Sequence, residues 1–419
     1  MDLIERVIVE RRRVIVRPSR SLRRYFPADF FAEYDEPVDL RQTPLSIASL
    51  PFLWNMAPIV WATDETYRMD VLEPAVVRSM DAVRDVVRDM YPSLRWHGRI
   101  EARSTVATPP PAPSEFDRAL LFSGGLDSTY SAMRHSGPGL LLISVWGADI
   151  PLSSKRRWAQ VEEDNRQFAE ANAAGLAVVR SNFRSINQPR LNTLTSEIRN
   201  WWADVQFSMA LSGLTAPLLH SNGIPVLHVA SGYSTAFQGS HGSLPHLDNL
   251  ISLGHAGVHH DGAELTRQQK LLAIVEGSTQ GSPTQLRVCY QNRRNVDRNC
   301  GECPKCLRTM VGLVVAGADP AIYGFPEYTP RTLSAIPPRF AAHGVHFNEA
   351  DMVMWQDIQA HVPAGHHREP FLAWLQDMDF RHYFQAQKDD PRRRARINRL
   401  ATQMSRLYSV ARRAKRRIG

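Results

Sequence analysis

Arg118-Ala119-Leu120-Leu121-Phe122-Ser123-Gly124-Gly125-Leu126-Asp127-Ser128-Thr129 is the stretch on which the reading of the fold turns. Residues 119–122 have the apolar character of a buried strand, the glycine pair allows a tight turn with positive φ, and Asp127 or Ser128 can cap a following helix. Turn N–H groups and the positive end of the helix dipole would then converge on one point, which suits a polyphosphate or pyrophosphate. No lysine follows the glycines, and the Gly-x4-Gly-Lys-Ser/Thr spacing of the Walker loop is absent, so a different phosphate chemistry is implied.

Downstream, apolar runs at 140–145, 176–180 and 226–230 alternate with helical patterns at 155–174 and 196–220. This is the βαβ order of an α/β protein with a parallel sheet covered by helices. Ligands in such sheets sit beyond the carboxyl ends of the strands, so loops 123–128, 146–149 and 231–249 are expected to share one crevice. Upstream, Val7, Val9, Val14 and Val16 alternate with charges as in a hairpin, and Val76, Met80, Val83, Val87 and Met90 space an amphipathic helix over 75–90. Four segments are therefore expected. An α+β N-terminal domain covers 1–103 and a stiff proline-rich linker 104–116; a nucleotide-binding domain with a zinc site covers 117–325, and a helical C-terminal region with a basic tail covers 326–419. Helices are expected in the last of these at 371–377 and 396–410.

A chain of 419 residues, 43% apolar and 22% charged, suits two or three soluble globular domains. No apolar run reaches the roughly 18 residues that mark a membrane helix, and the first residues lack a hydrophobic signal segment, so a cytoplasmic location is expected. The formal net charge is +8, yet residues 391–419 hold eleven Arg or Lys and no Asp or Glu; without them the remainder stands at −3. The basicity belongs to a tail that either stays solvated or meets nucleic acid, an acidic partner or an anionic surface.

All four cysteines fall in the arrangement Cys289-x10-Cys300-x2-Cys303-x2-Cys306. Four soft ligands this close can enclose one tetrahedral Zn²⁺, a structural site without an open position; a redox pair or an iron–sulfur cluster would each need a cysteine outside it. Ser123, Gly124, Gly125, Leu126, Asp127 and Ser128 are the candidates for nucleotide contact. Asp127 is the natural carboxylate toward Mg²⁺, and Ser123 and Asp127 are the catalytic candidates. Ser144 and Trp146, after the second strand, and Ser231 and Gly232, after the fourth, are placed in the same pocket, with core packing an equal reading for Trp146. His241, His246, His255, His259 and His260 crowd a glycine-rich segment read as a long functional loop. A polar substrate role for His246 or Asp248 is preferred there over a second metal. Lys270, on a helix expected at 264–276, is a candidate to touch a phosphate or the substrate, although a lysine so placed is more often merely solvated.

The loop 123–128 resembles the signature of the PP-loop ATP pyrophosphatase superfamily, with its adenine nucleotide alpha hydrolase-like fold. Together with Cys300-Gly301-Glu302-Cys303-Pro304-Lys305-Cys306-Leu307-Arg308, it is similar to the 7-cyano-7-deazaguanine synthase family over residues 117–325. The resemblance implies ATP, Mg²⁺ and Zn²⁺ as cofactors and adenylation of a carboxylate with release of pyrophosphate. Ammonia or another amine then attacks to give an amide, which the family converts to a nitrile with a second ATP. The family's Gly-Tyr-Pro-Asp-Cys-Arg-like substrate segment is not found. Ser231-Gly232-Tyr233-Ser234 is the nearest stretch, and Trp146-Gly147-Ala148-Asp149 stands where a Tyr-Gly turn is usual. A divergent paralogue acting on another small-molecule or macromolecular carboxylate is therefore expected. No cysteine outside the cluster can serve as an amidotransferase nucleophile, so free ammonia or a separate amine donor is implied. The alternatives are an RNA-modifying enzyme of the same superfamily and a non-catalytic ATP- and zinc-binding partner protein.

Overall fold

The computed structural model describes residues 1–35, 38–108, 114–237, 239–278, 284–289, 299–345, 348–365 and 369–389. The prolines at 109–113, the basic tail 391–419 and the helix expected at 396–410 lie outside the described residues. Eleven strands occur among those described: β1 (Ile4–Val9), β2 (Arg13–Pro18), β3 (Phe30–Tyr34), β4 (Thr66–Leu72), β5 (Arg99–Thr105), β6 (Arg118–Leu121), β7 (Leu140–Trp146), β8 (Gly175–Ser181), β9 (Val226–Ala230), β10 (Ser252–Leu253) and β11 (Ala256–Asp261). Nine form one sheet in the order β1-β2-β3-β8-β7-β6-β9-β11-β10, while β4 and β5 pair with each other. The centre of the sheet, β8 through β11, is parallel; β1 to β3 at one edge and β10 at the other run antiparallel.

From β6 the chain moves outward to β7 and β8, then returns to the other flank at β9. The strand order thus reverses at the carboxyl end of β6, which is where a crevice opens in sheets of this kind and where the glycine turn begins. The hairpin expected near the N-terminus is present as β1 and β2. β3 pairs with β8, placing Ala32 opposite Ser181 and Tyr34 opposite Val179, so the N-terminal strands extend the same sheet that carries the glycine turn.

One face of the sheet packs Leu120, Phe122, Leu140 and Leu142 with Ala169 of the Lys155–Ala171 helix. The other face, with Ala119, Leu141, Ile143, Leu227 and Val229, belongs to the main core. That core includes the Leu50–Trp61 helix, buried at every position, and the Phe207–Ser221 helix. The two approach at Gly213, where an added Cβ would stand 2.6 Å from Trp54 Cβ.

Two expectations are corrected. The helix expected at 196–220 begins at Trp201, with a π turn over Trp202–Gln206 before the α-helix Phe207–Ser221. The Asp204 carboxylate accepts the N–H groups of Arg199 and Asn200, each at 2.9 Å, and so ties the preceding residues into a turn. Residues 241–260 are not one long loop, because β10 and most of β11 lie within them. From Gly257 to His260 exposure alternates along the strand.

The chain divides into two compact units, Met1–Asn299 with Ile322–Gly324, and Cys300–Ala321 with Phe325–Gly419. The described part of the second is helical, with Pro304–Val315, Ile336–Ala341, Glu349–Ala360, Pro370–Asp377 and Phe380–Asp389 as its larger elements. Phe340 meets Trp355 edge-on at 5.3 Å, Trp355 stacks on Phe380 at 5.4 Å, and Arg308 is ion-paired to Asp351. Among the described residues no helix is long and apolar enough to cross a membrane.

Candidate functional site

Residues 122–128 leave β6 and turn directly into the Leu126–Arg134 helix, whose N-cap is Gly125. Gly124 has a φ of 70°, a conformation that favours glycine, and an added Cβ would lie 2.9 Å from Asn165 Oδ1. Side chains brace the turn from within. Ser128 Oγ lies 3.1 Å from Ser123 Oγ and donates to the Gly125 carbonyl at 3.1 Å, while Gly125 N–H donates to Ser123 Oγ at 3.2 Å. Leu126 is buried, which leaves only its backbone for a ligand.

Asp127 does not stand alone. Arg267 Nη1 lies 2.9 Å from its Oδ2, and Lys270 Nζ lies 3.9 Å from its Oδ1. Oδ1 is buried and has no hydrogen-bond partner, so it keeps capacity for a cation or a donor. Lys270 is 1% exposed and donates to the Ser231 carbonyl at 2.6 Å. Burial pushes its ammonium below the ordinary lysine range, and the Asp127 carboxylate opposes that. Arg267 and Lys270 thus bring two cations to the mouth of the turn, where they can meet a polyanion. Ser231 is buried, whereas Gly232 faces open space.

Ser144 is buried beneath the turn, donating to the Phe122 carbonyl at 3.0 Å and accepting from Asn165 Nδ2 at 2.9 Å. Its hydroxyl positions the loop. Trp146 is partly buried and stacks on Trp158 at 5.4 Å with the rings nearly parallel. A pocket opens beside Gly124, lined among others by Phe122, Asn165, Phe168 and Arg287. Arg287 closes over the turn: its N–H donates to the Gly124 carbonyl at 2.7 Å, and its guanidinium donates to the Ser123 carbonyl at 3.0 and 2.7 Å. Asp248 is fully buried, its Oδ2 held by Ser243 at 2.7 Å and His260 at 2.6 Å. His246 is exposed.

No family model, no curated protein and no solved structure matches this chain. Its chemistry therefore rests on its own geometry. The sulfurs of Cys289, Cys300, Cys303 and Cys306 lie within 4.8 Å of one another. Cys300 and Cys306 are 3.8 Å apart, and tetrahedral zinc with Zn–S bonds of about 2.3 Å requires a sulfur separation of roughly that size. Cys303 N–H points at Cys300 Sγ at 3.3 Å, and Cys306 N–H at Cys303 Sγ at 3.5 Å, contacts that stabilise thiolates. Gly301, with φ of 67°, makes the turn between them. This four-cysteine group can hold a metal ion such as zinc.

The sequence reading left Arg267 and Arg287 without a role, and took solvation as the commoner fate of Lys270, which is instead buried. Arg267 and Lys270 stand three apart and so share a helix face, a weak signal because most such faces are simply solvated.

Proposed function

We propose that this chain is an adenylate-forming, ATP-dependent C–N ligase of the PP-loop type, similar to 7-cyano-7-deazaguanine synthase and divergent from it in substrate. The observation that carries this reading is the glycine turn at the reversal point of the sheet, with Lys270 and Arg267 gathered round Asp127. In this reading the N–H groups of the turn and the start of the Leu126–Arg134 helix bind the departing pyrophosphate. Lys270 is aimed by the Ser231 carbonyl and keeps donors for a phosphate oxygen, while Asp127 Oδ1 is the ligand available to Mg²⁺. ATP supplies the adenylyl group and a good leaving group. The pocket beside Gly124, which combines the rings of Phe122 and Phe168 with the polar side chains of Asn165, Gln285 and Arg287, is the place this reading gives to the base. The four cysteines hold a structural zinc, which fits a reducing, cytoplasmic setting.

Turnover of ATP with a carboxylate and ammonia is expected to yield AMP and pyrophosphate. ADP and orthophosphate as products would overturn the reading, and Gly125→Val is expected to abolish nucleotide binding, measured by calorimetry. The eleven cations at 391–419 favour an acidic partner, a nucleic acid or an anionic surface as a second ligand. Removal of 391–419 is expected to weaken such binding and flatten its salt dependence while leaving ATP turnover in place.

A further inference from the structure

On the face of the sheet that carries the Leu126–Arg134 helix, three ligand-type side chains from three separate elements converge. His228 lies on β9, Asp261 ends β11, and His135 caps the carboxyl end of the helix. Their ligand atoms all lie within 4.8 Å of one another. His135 Nε2 is 3.1 Å from Asp261 Oδ1, and the His135 and His228 rings face each other at 4.1 Å. Asp261 is 3% exposed and His228 is 9% exposed, and Nδ1 of His228 is buried without a hydrogen-bond partner. We propose that His135, His228 and Asp261 form a second metal site, separate from the four cysteines, for a divalent transition-metal ion.

The donor set decides the class of ion. Two imidazoles and one carboxylate suit borderline ions such as Zn²⁺, Co²⁺ or Ni²⁺, and three protein ligands leave a position open to water. Mg²⁺ and Ca²⁺ favour oxygen donors throughout and fit poorly. Around the ligands the second layer is already in place. Ser131 Oγ donates to Asp261 Oδ2 at 2.5 Å, fixing the carboxylate while Oδ1 faces His135. The Arg134 guanidinium is 3.6 Å from Oδ1, but it is also ion-paired to Glu264, which gives it a second carboxylate when a metal takes the first. A hydrogen-bonded network that merely pins the helix to β11 explains the His135–Asp261 contact. It does not explain why a second imidazole, from a different element, is brought face to face with His135 and within ligand reach of Asp261.

Co²⁺ titration of the full-length, zinc-loaded protein tests this. Wild type is expected to take up one Co²⁺ per chain with visible d–d absorption and no thiolate charge-transfer band, together with a rise in melting temperature. His135→Gln, at a half-buried helix end, and Asp261→Asn are each expected to lose that equivalent while zinc content stays unchanged. Ser131→Ala is expected to weaken Co²⁺ binding by about 10- to 100-fold, the effect of removing an outer partner of a ligand. Co²⁺ seen only with a thiolate band, no Co²⁺ uptake, or an equivalent that survives in His135→Gln would each overturn the site. Should Asp261→Asn fail to fold, His135→Gln and Ser131→Ala still decide.

Discussion

Asp127 sits where the helix dipole, one buried ammonium and one guanidinium meet, so its carboxylate does two jobs. It neutralises Lys270, and it offers Oδ1 to whatever enters the turn. If the chain is the ligase proposed above, Asp127→Asn is expected to cut ATP turnover by about 10²-fold or more while nucleotide affinity changes less, the pattern of a contact that matters most in the transition state. The same change leaves Lys270 buried without its counter-charge and is expected to lower stability. Adding Lys270→Met should restore the denaturation midpoint but not the rate, and recovery of both would show that the ion pair is only structural. At this scale the glycines and Asp127 were legible because one short turn holds them all. Arg287 was not, since it reaches the Ser123 carbonyl from 164 residues away and nothing local marks it.

Single elements were legible where a period was present. The runs at 140–145, 176–180 and 226–230 became β7, β8 and β9, and the three- and four-residue spacing of Val76 to Met90 became the Pro74–Met90 helix. The Leu50–Trp61 helix is apolar all round and has no period to read. β11 was hidden because Gly257 and the adjacent His259, His260 and Asp261 leave only Ala256 and Val258 as apolar residues at alternate positions. Gly213 shows how tightly the first of these hidden elements is packed. Glycine to alanine in a helix normally stabilises by about 1 kcal/mol through propensity. Here the new methyl would meet Trp54 Cβ at 2.6 Å and the Leu50 carbonyl at 3.1 Å, so Gly213→Ala is expected to destabilise by about 1–3 kcal/mol in urea melts. The cysteine knuckle is the opposite case, fully legible because spacing alone defines it. Cys303→Ser is expected to lower both zinc content and folded yield, because structural zinc supplies folding free energy; an unchanged melt in the metal-free variant would remove the metal from the account.

Across the first unit, the join between the N-terminal strands and the rest of the sheet could not be read from sequence. Pairing of Ala32 with Ser181 depends on contacts some 150 residues apart, which no local pattern encodes. The unit also buries several histidines, and their titration bears on the stability of the whole. His220 and His255 meet edge to face at 5.5 Å, and burial pushes both below the ordinary imidazole pKa of about 6.5. In the unfolded chain they take up protons as the pH falls through about 6.5, while in the folded state they resist. The unfolded state then binds more protons, so stability must fall as the pH drops below that value and must level out above it. Asp35 and Glu73 are held up by burial and act in the opposite sense, but nearer the carboxylate range. Urea midpoints measured from pH 7.5 to 5.5 are therefore expected to decline. His255→Phe keeps the ring contact with His220, removes one of the two titrations, and should make that decline shallower; an unaltered slope in the variant would place the proton uptake elsewhere in the molecule.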